Sequence, residues 1–173
     1  MPREIYLDVE TQRLAHEVPG GWANIRAFGL SVAVTWDEAH GFRTWFEPDA
    51  PRLIAELEAF DRIITFNGER FDFSVLSGYG PVGRLYFKSF DLHADLMRKL
   101  ARRVPFESLV RATLGQGKSG SGEEAVRWWR AGDVARVVEY CRRDVELLRE
   151  LVRFARQRGY VRLPPNRIVR VAW

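Results

Sequence analysis

The first apolar segment of the chain ends in two acidic residues that are separated by a single position. Residues 4–9 are mostly β-branched, aromatic or otherwise apolar, which predicts a strand. Residues i and i+2 of a strand point to the same face of a sheet, so Asp8 and Glu10 would lie side by side. Neighbouring carboxylates repel each other unless a cation lies between them. The pattern therefore indicates either a metal site or a frayed strand end with both groups in water.

The remaining segments predict an α/β protein with a mixed sheet. Strands are expected at residues 25–36, 42–46, 62–67 and 84–90, the first two joined by a turn at residues 37–41. Helices are expected at residues 51–60, 71–77, 91–103, 105–115, 123–130 and 133–157, with Asp133 capping the last. This order predicts a mixed central sheet flanked by helices.

Length and composition favour one domain over residues 1–173, because a chain of this size holds one sizeable core. The single cysteine, Cys141, excludes an intramolecular disulfide and makes structural zinc unexpected. No apolar stretch is long enough to span a membrane, and the N-terminus lacks the apolar region of a signal peptide. A cytoplasmic location without membrane contact is therefore expected.

The positive and negative charges are divided unevenly along the chain. Residues 1–83 contain 7 Lys and Arg against 13 Asp and Glu, whereas residues 84–173 contain 20 against 10. Acidic groups gathered in a cleft suit cations, and a basic surface suits a polyanion such as nucleic acid. Because 24 of the 27 basic residues are Arg, a solvated Arg-rich surface is the alternative interpretation.

A second acidic position follows the strand predicted at residues 62–67. Asp72 is expected near the N-terminus of a short helix, where it could bind a cation or simply interact with the helix dipole. Asn67 could likewise be only a turn residue. A role for Asp72 and Asn67 in a functional site is favoured, because both would lie at the sheet edge where Asp8 and Glu10 emerge.

A third acidic position lies on the long helix predicted near the end of the chain. Tyr140 and Asp144 are four residues apart, so they share one helix face, and Leu147, Leu148 and Leu151 continue that face inwards. A buried tyrosine and aspartate need hydrogen bonds or a cation. Asp144 is therefore a candidate ligand, and Tyr140 could be either a site residue or a core aromatic.

These segments resemble the three exonuclease motifs of the DEDD superfamily, in the same order. They read Asp8-Val9-Glu10-Thr11, Asn67-Gly68-Glu69-Arg70-Phe71-Asp72 and Tyr140-Cys141-Arg142-Arg143-Asp144. The tyrosine four residues before the last aspartate is similar to the DEDDy branch. The motifs are most similar to those of family B DNA polymerase exonuclease domains and of stand-alone bacterial RNase H-like exonucleases. The resemblance implies an RNase H-like (DnaQ-like) fold over residues 1–173.

The resemblance also implies a metal-dependent 3′–5′ exonuclease. Asp8, Glu10, Asp72 and Asp144 would bind two Mg²⁺ or Mn²⁺ ions, which prefer oxygen ligands, and Tyr140 would orient the attacking water. The substrate would be single-stranded DNA in preference to RNA, cut to nucleoside 5′-monophosphates, for example in DNA repair. A helicase or polymerase could be a partner, whereas no pattern indicates the oligomeric state or the role of residues 159–173.

Five further residues are predicted to bind the substrate strand, from their places in or beside the motifs: Thr11, Asn67, Phe71, Lys118 and Arg143. Lys118 lies in a glycine-rich loop that could grip a phosphate, and Arg143 belongs to the basic last helix.

Two other functions stay open at this point. The chain could be a catalytically inactive nucleic-acid-binding module with an exonuclease fold, or a structure-specific endonuclease. The presence of all four acids and the tyrosine argues against the first.

Overall fold

The computed structural model describes residues 1–117 and 119–173. The strands are β1 (Glu4–Thr11), β2 (Leu30–Asp37), β3 (Gly41–Phe46), β4 (Arg62–Thr65), β5 (Ser89–Asp91), β6 (Tyr160–Leu163) and β7 (Arg167–Arg170). The α-helices are α1 (Ala50–Glu58), α2 (Asp72–Leu76), α3 (Gly83–Phe87), α4 (Leu92–Leu100), α5 (Phe106–Leu114), α6 (Gly122–Arg130) and α7 (Val134–Arg158). Short 3₁₀ turns lie at Ala15–Glu17, Gly21–Ala23, Ile25–Ala27 and Glu47–Asp49.

The central sheet has five strands in the order β3-β2-β1-β4-β5. β1, β2 and β3 are antiparallel neighbours, whereas β4 is parallel to both β1 and β5. The carboxyl ends of β1, β4 and β5 therefore meet at one edge of the sheet. The predicted mixed sheet flanked by helices is confirmed.

Each face of the sheet is covered by its own set of helices. Ile5, Leu7 and Val9 of β1 face α1, α2 and α3, while Tyr6 faces the layer of α4, α5, α6 and α7. Because the side chains of a strand alternate, Asp8 and Glu10 share the face of Tyr6. The two acids of β1 are thus directed toward the layer that contains α7. Among the described residues, none of the helices has the length and apolar character that crossing a membrane requires.

The expectation of a strand from residue 25 was wrong for its first residues. Ile25–Ala27 is a 3₁₀ turn, and β2 begins only at Leu30. Gly29 has φ +73°, a left-handed conformation that interrupts an extended chain. Ile25 and Phe28 are buried from this turn, so their apolar character came from core packing and not from strand alternation.

The strand expected at residues 84–90 was also wrong in most of its length. Gly83–Phe87 is the short helix α3, and only Ser89–Asp91 pairs with β4. Leu85 is fully buried, whereas Phe87 is 92% exposed. The apolar run therefore does not mark a buried strand.

Residues 160–170 form a hairpin, β6 with β7, that packs against α5 and α7. β6 and β7 pair antiparallel, and the Thr113 hydroxyl of α5 bonds both the N–H and the C=O of Arg162. The end of the chain is fixed as well, because the Trp173 indole N–H donates to Asp95 at 2.8 Å. The Arg156 guanidinium donates to the Trp173 carbonyl at 3.2 Å and to Glu4 at 2.7 Å.

One carboxylate joins the ends of β4 and β5 to α4. Asp91 caps α4 by accepting from the N–H groups of His93 and Ala94 at 2.9 and 3.3 Å. It also accepts from those of Asn67 and Glu69, at 2.8 and 3.1 Å. Asp91 therefore fixes the loop that leads from β4 into α2.

Replacing Asp91 by Ala should destabilise the fold more than loss of an ordinary helix cap. Four backbone donors lose their acceptor, so we expect the free energy of unfolding to fall by about 2 kcal/mol or more, against about 1 kcal/mol for one cap. Among the residues that the structure describes, the Asp133 carboxylate accepts only from the N–H of Arg136, at 3.3 Å, so Asp133 is the matched control. Urea unfolding of Asp91→Ala and Asp133→Ala measures the difference, and equal losses would contradict the role of Asp91.

Candidate functional site

Two carboxylates of the site come from the end of β1. Asp8 is partly exposed and Glu10 is buried. The strand has a register shift between Glu10 and Thr11, and such bulges are frequent beside sites because they redirect side chains. The sheet thus presents both acids at its edge, on the side of α7.

The long helix α7 contributes the next two groups. Tyr140 and Asp144 are both buried on the helix face that packs against the sheet. The Tyr140 ring lies edge-on to Trp128 of α6, with centroids 5.8 Å apart. The Arg136 guanidinium lies over the same Trp128 ring at 4.3 Å. Trp128 therefore packs against the Tyr140 ring and restricts its position.

The loop between β4 and α2 positions the fourth carboxylate. Asn67 has φ +65°, and a Cβ atom on Gly68 would lie 2.4 Å from the Thr65 hydroxyl oxygen. Only glycine fits this close approach. The loop turns sharply here, and Asp72 follows as the first residue of α2, buried at the sheet edge.

All four acids and Tyr140 line one cleft of about 900 Å³. One wall is the segment between β1 and β2, and the opposite wall is the start of α6. Outside the lining of the cleft, Glu17 forms an ion pair with Arg130, the last residue of α6. That hydrogen-bonded pair lowers the pKa of Glu17 to about 2. The predicted carboxylates and tyrosine are thus brought together in a single open site.

Asp72 is unfavourably placed for a charged group. Burial raises its pKa well above the usual value, and the negative charges of Asp8 and Asp91 raise it further. Its Oδ1 atom has no hydrogen-bond partner among the described residues. A buried carboxylate with an unpaired oxygen is costly, and a cation would remove that cost.

Cys141 lies against the same acids. One ligand atom each of Asp8, Glu10 and Cys141 lies within 4.8 Å of the others, so the three could share a cation. Burial, followed by the charges of Asp8 and Glu10, raises the pKa of the Cys141 thiol. The protonated thiol donates to the backbone oxygen and to Oδ2 of Asp8, each at 3.3 Å. These contacts help to orient Asp8.

The predicted substrate-binding residues have different locations. Thr11, Asn67 and Phe71 line the cleft. Arg143 does not line it, because its guanidinium bonds Gln116 and Glu146 on the outer side of α7. The predicted phosphate contact of Lys118 lies outside the described residues.

The sequence interpretation missed Trp22, which is 61% exposed on the wall of the cleft. Its ring packs edge-on against buried Phe28, at 5.6 Å, and tilted against Phe71, at 6.4 Å. Arg13 is a second missed residue of the same wall. Trp22 follows two glycines and belongs to no recognisable motif. The only signal in the sequence is that a large aromatic residue is unusual in a polar, glycine-rich loop.

Comparison with known proteins supports this architecture. The family model described as "RNase_H superfamily" matches residues 5–157. No curated protein sequence matches. A structure of the family B DNA polymerase from the hyperthermophilic archaeon Pyrobaculum calidifontis is similar in fold, with a TM-score of 0.67 and 12% identity. The match covers 90% of this chain and only 24% of the polymerase chain.

At 12% identity the polymerase likeness concerns the fold alone. The family match extends over most of the sequence and includes every acidic residue of the cleft. This chain belongs to the RNase H superfamily.

Proposed function

We propose that this chain is a metal-dependent 3′–5′ exonuclease of the DEDDy type, formed by a single domain over residues 1–173. It would hydrolyse the last phosphodiester bond of single-stranded nucleic acid, DNA in preference to RNA, and release nucleoside 5′-monophosphates. The observation that carries the proposal is the convergence of Asp8, Glu10, Asp72, Asp144 and Tyr140 in one cleft. Membership of a nuclease superfamily and likeness to a DNA polymerase fold agree with it.

The residues present fit a pair of divalent cations. Asp72 is buried with an oxygen that lacks a hydrogen-bond partner among the described residues. Oxygen-only ligands suit Mg²⁺ or Mn²⁺. Asp8, Glu10, Asp72 and Asp144 would hold two such ions, which when bound would promote attack by water and stabilise the charge on the leaving oxygen.

The protein's own groups would orient the reacting atoms. A bond forms between the water oxygen and phosphorus, and the bond from phosphorus to the 3′ oxygen breaks. Tyr140 would hold the attacking water by a hydrogen bond, which a neutral phenol can do. Trp128 keeps the Tyr140 ring in place, so the hydroxyl is held before the substrate binds.

The wall of the cleft offers groups that suit a single strand. Trp22 and Phe71 provide aromatic faces for bases, and Arg13 provides a positive charge for a phosphate. Exposed bases are available in single strands and not in a paired duplex.

Asp144→Asn should abolish cleavage, because it removes one ligand charge from the site. Tyr140→Phe should keep the fold and lower kcat by roughly 10-fold, because it removes one orienting hydrogen bond of about 1.5 kcal/mol. The assay is digestion of matched DNA and RNA oligonucleotides labelled at either end, with and without Mg²⁺ or Mn²⁺. Unchanged shortening by Asp144→Asn would refute the proposal, and nicking of circular single strands would favour an endonuclease. Binding without any cleavage by the wild type would favour an inactive binding module.

Asp72→Asn should make the metal-free protein more stable. Because folding raises the pKa of Asp72, the folded state binds that proton more tightly than the unfolded chain. The contribution of Asp72 is therefore most favourable at acidic pH and is lost as the pH rises through the raised pKa. At neutral pH we expect Asp72→Asn to raise Tm by roughly 2–4 °C, the shift that about 1 kcal/mol gives a chain of this size.

Addition of Mg²⁺ or Mn²⁺ should raise the Tm of the wild type, and Asp72→Asn should lose that rise. Thermal unfolding at pH 5 and pH 8, with and without metal, measures both effects. Asp61→Asn, which changes an exposed carboxylate, is the control. If Asp72→Asn lowers Tm at pH 8 without metal, the ionised Asp72 carboxylate does not destabilise the folded protein, and the prediction is wrong.

Trp22→Ala should weaken binding of single strands, because it removes a ring on which a base can stack. Stacking of a base on an aromatic side chain contributes about 1–3 kcal/mol, so Kd should rise by about 5- to 150-fold, and Trp22→Phe should recover part of the loss. Kd is measured by fluorescence anisotropy in the Asp144→Asn background. An oligonucleotide with an abasic residue near its 3′ end should bind Trp22→Ala and the parent equally. A Trp22→Ala loss that persists on the abasic strand would exclude stacking.

A further inference from the structure

The C-terminal hairpin, β6 with β7, lies beyond the residues that match the family model, which end at residue 157. Its strand register fixes two distinct faces. Tyr160 pairs with Arg170 and Arg162 with Ile168, so these four side chains share one face. The opposite face contains Val161, Leu163 and Val169, which are buried. The hairpin is therefore amphipathic, with an outer face on which Arg162, Ile168 and Arg170 are exposed.

That outer face is apolar as well as basic. Ile168 is 58% exposed, and the Arg162 guanidinium lies 5.7 Å from the Tyr160 ring centroid. Arg162 also donates to the Tyr160 hydroxyl at 3.2 Å, and Phe154 supports the Tyr160 ring edge-on at 5.6 Å. The backbone N–H and C=O of Arg162 both hydrogen-bond the Thr113 hydroxyl. These bonds fix the strand from which the Arg162 and Tyr160 side chains project.

The positive charge of this region has no acidic counterpart nearby in sequence. Residues 151–173 contain six Arg and no Asp or Glu. Arg158, Arg162, Arg167 and Arg170 make no ion pair with any acid in the described ranges 1–117 and 119–173. Elsewhere exposed Arg residues commonly have such a partner, as Arg52 and Arg84 do. Arg158 has an ordinary explanation as a cation in the last turn of α7. Arg162 contacts the neutral Tyr160 side chain, but neither Arg162 nor Arg170 has an acidic partner among the described residues.

The hairpin is linked to the cleft by two helices. α5 starts beside a second cavity of about 310 Å³, which shares Asp8 and Asp144 with the cleft, and its Thr113 bonds the hairpin. Along α7, fourteen residues separate Asp144 from Arg158, which corresponds to about 21 Å at about 1.5 Å per residue. A stacked strand covers that length in about six nucleotides, at about 3.4 Å each.

We propose that the outer face of the β6–β7 hairpin is a second nucleic-acid contact, which binds the backbone of the substrate strand about six or more nucleotides from its 3′ end. This rests on the proposed function, because a polyanion threaded into the cleft is what brings phosphates to this surface. Arg162 and Arg170 bind phosphates, and Tyr160 and Ile168 contact sugars or bases. The contact raises affinity for long substrates and leaves the chemistry of the cleft unchanged.

The test compares single strands of five and twenty nucleotides, with Kd measured by anisotropy at several salt concentrations in the Asp144→Asn background. Arg162→Ala/Arg170→Ala should bind the twenty-nucleotide strand several-fold more weakly and the five-nucleotide strand equally well. The slope of log Kd against log salt should fall by about 1.4 for the long strand, since each lost phosphate contact on a single strand removes about 0.7.

Two control variants separate this contact from net charge and from misfolding. Arg52→Ala/Arg84→Ala removes the same charge from α1 and α3, on the other side of the sheet, and should leave the slope unchanged. Arg162→Lys/Arg170→Lys should restore most of the long-strand affinity. Cleavage of the five-nucleotide strand by the hairpin variant with Asp144 intact should equal that of the wild type, which shows that the cleft is folded.

Equal slopes for the hairpin variant and its parent, or equal losses on both strand lengths, would overturn the second contact while leaving the exonuclease proposal standing. The same holds if the α1/α3 control loses as much as the hairpin variant. Failure of the parent to bind either strand would overturn the proposed function itself.

Discussion

Burial of closely spaced carboxylates is the constraint on which the rest of this site depends. Asp72 is buried near Asp8 and Asp91, and both burial and charge oppose its ionisation. Such a group persists only if the surrounding structure fixes it, since relaxation would let it reach water. The fixing elements are visible: the Asp91 carboxylate holds four backbone N–H groups, and Gly68 admits Thr65 at close range. The loop from β4 to α2 thus holds a carboxylate whose charged form is disfavoured by burial and by its charged neighbours.

The parts of the site that follow local periodicity could be predicted from sequence. Asp8 and Glu10 share a face because strands have a period of two, and Tyr140 and Asp144 share one because helical turns bring positions i and i+4 together. Asp72 was harder, since a helix-start aspartate usually has a local explanation. Only its position relative to the sheet edge distinguishes it, and that position depends on the pairing of β1 with β4.

The features that escaped prediction depend on contacts between distant segments. Ile25 looked like a strand residue because apolar character alone does not reveal which element buries it. Trp22 lies in the cleft because Phe28 and Phe71 support it, and Phe71 belongs to a segment far along the chain. Arg143 looked like a cleft residue by its place in a motif, yet adjacent residues of a helix face different directions, and only Asp144 points to the sheet.

Arg156 joins the beginning of the described fold to its end. Its guanidinium bonds Glu4 at the beginning of β1 and the carbonyl of Trp173 at the end of the sequence. The two ends of the fold therefore lie within one side chain of each other. Ends that lie this close allow circular permutation and insertion into another chain. A short linker from residue 173 to residue 1, with new ends in an exposed loop, would keep the sheet order, and the cleft would remain open at the opposite edge of the sheet.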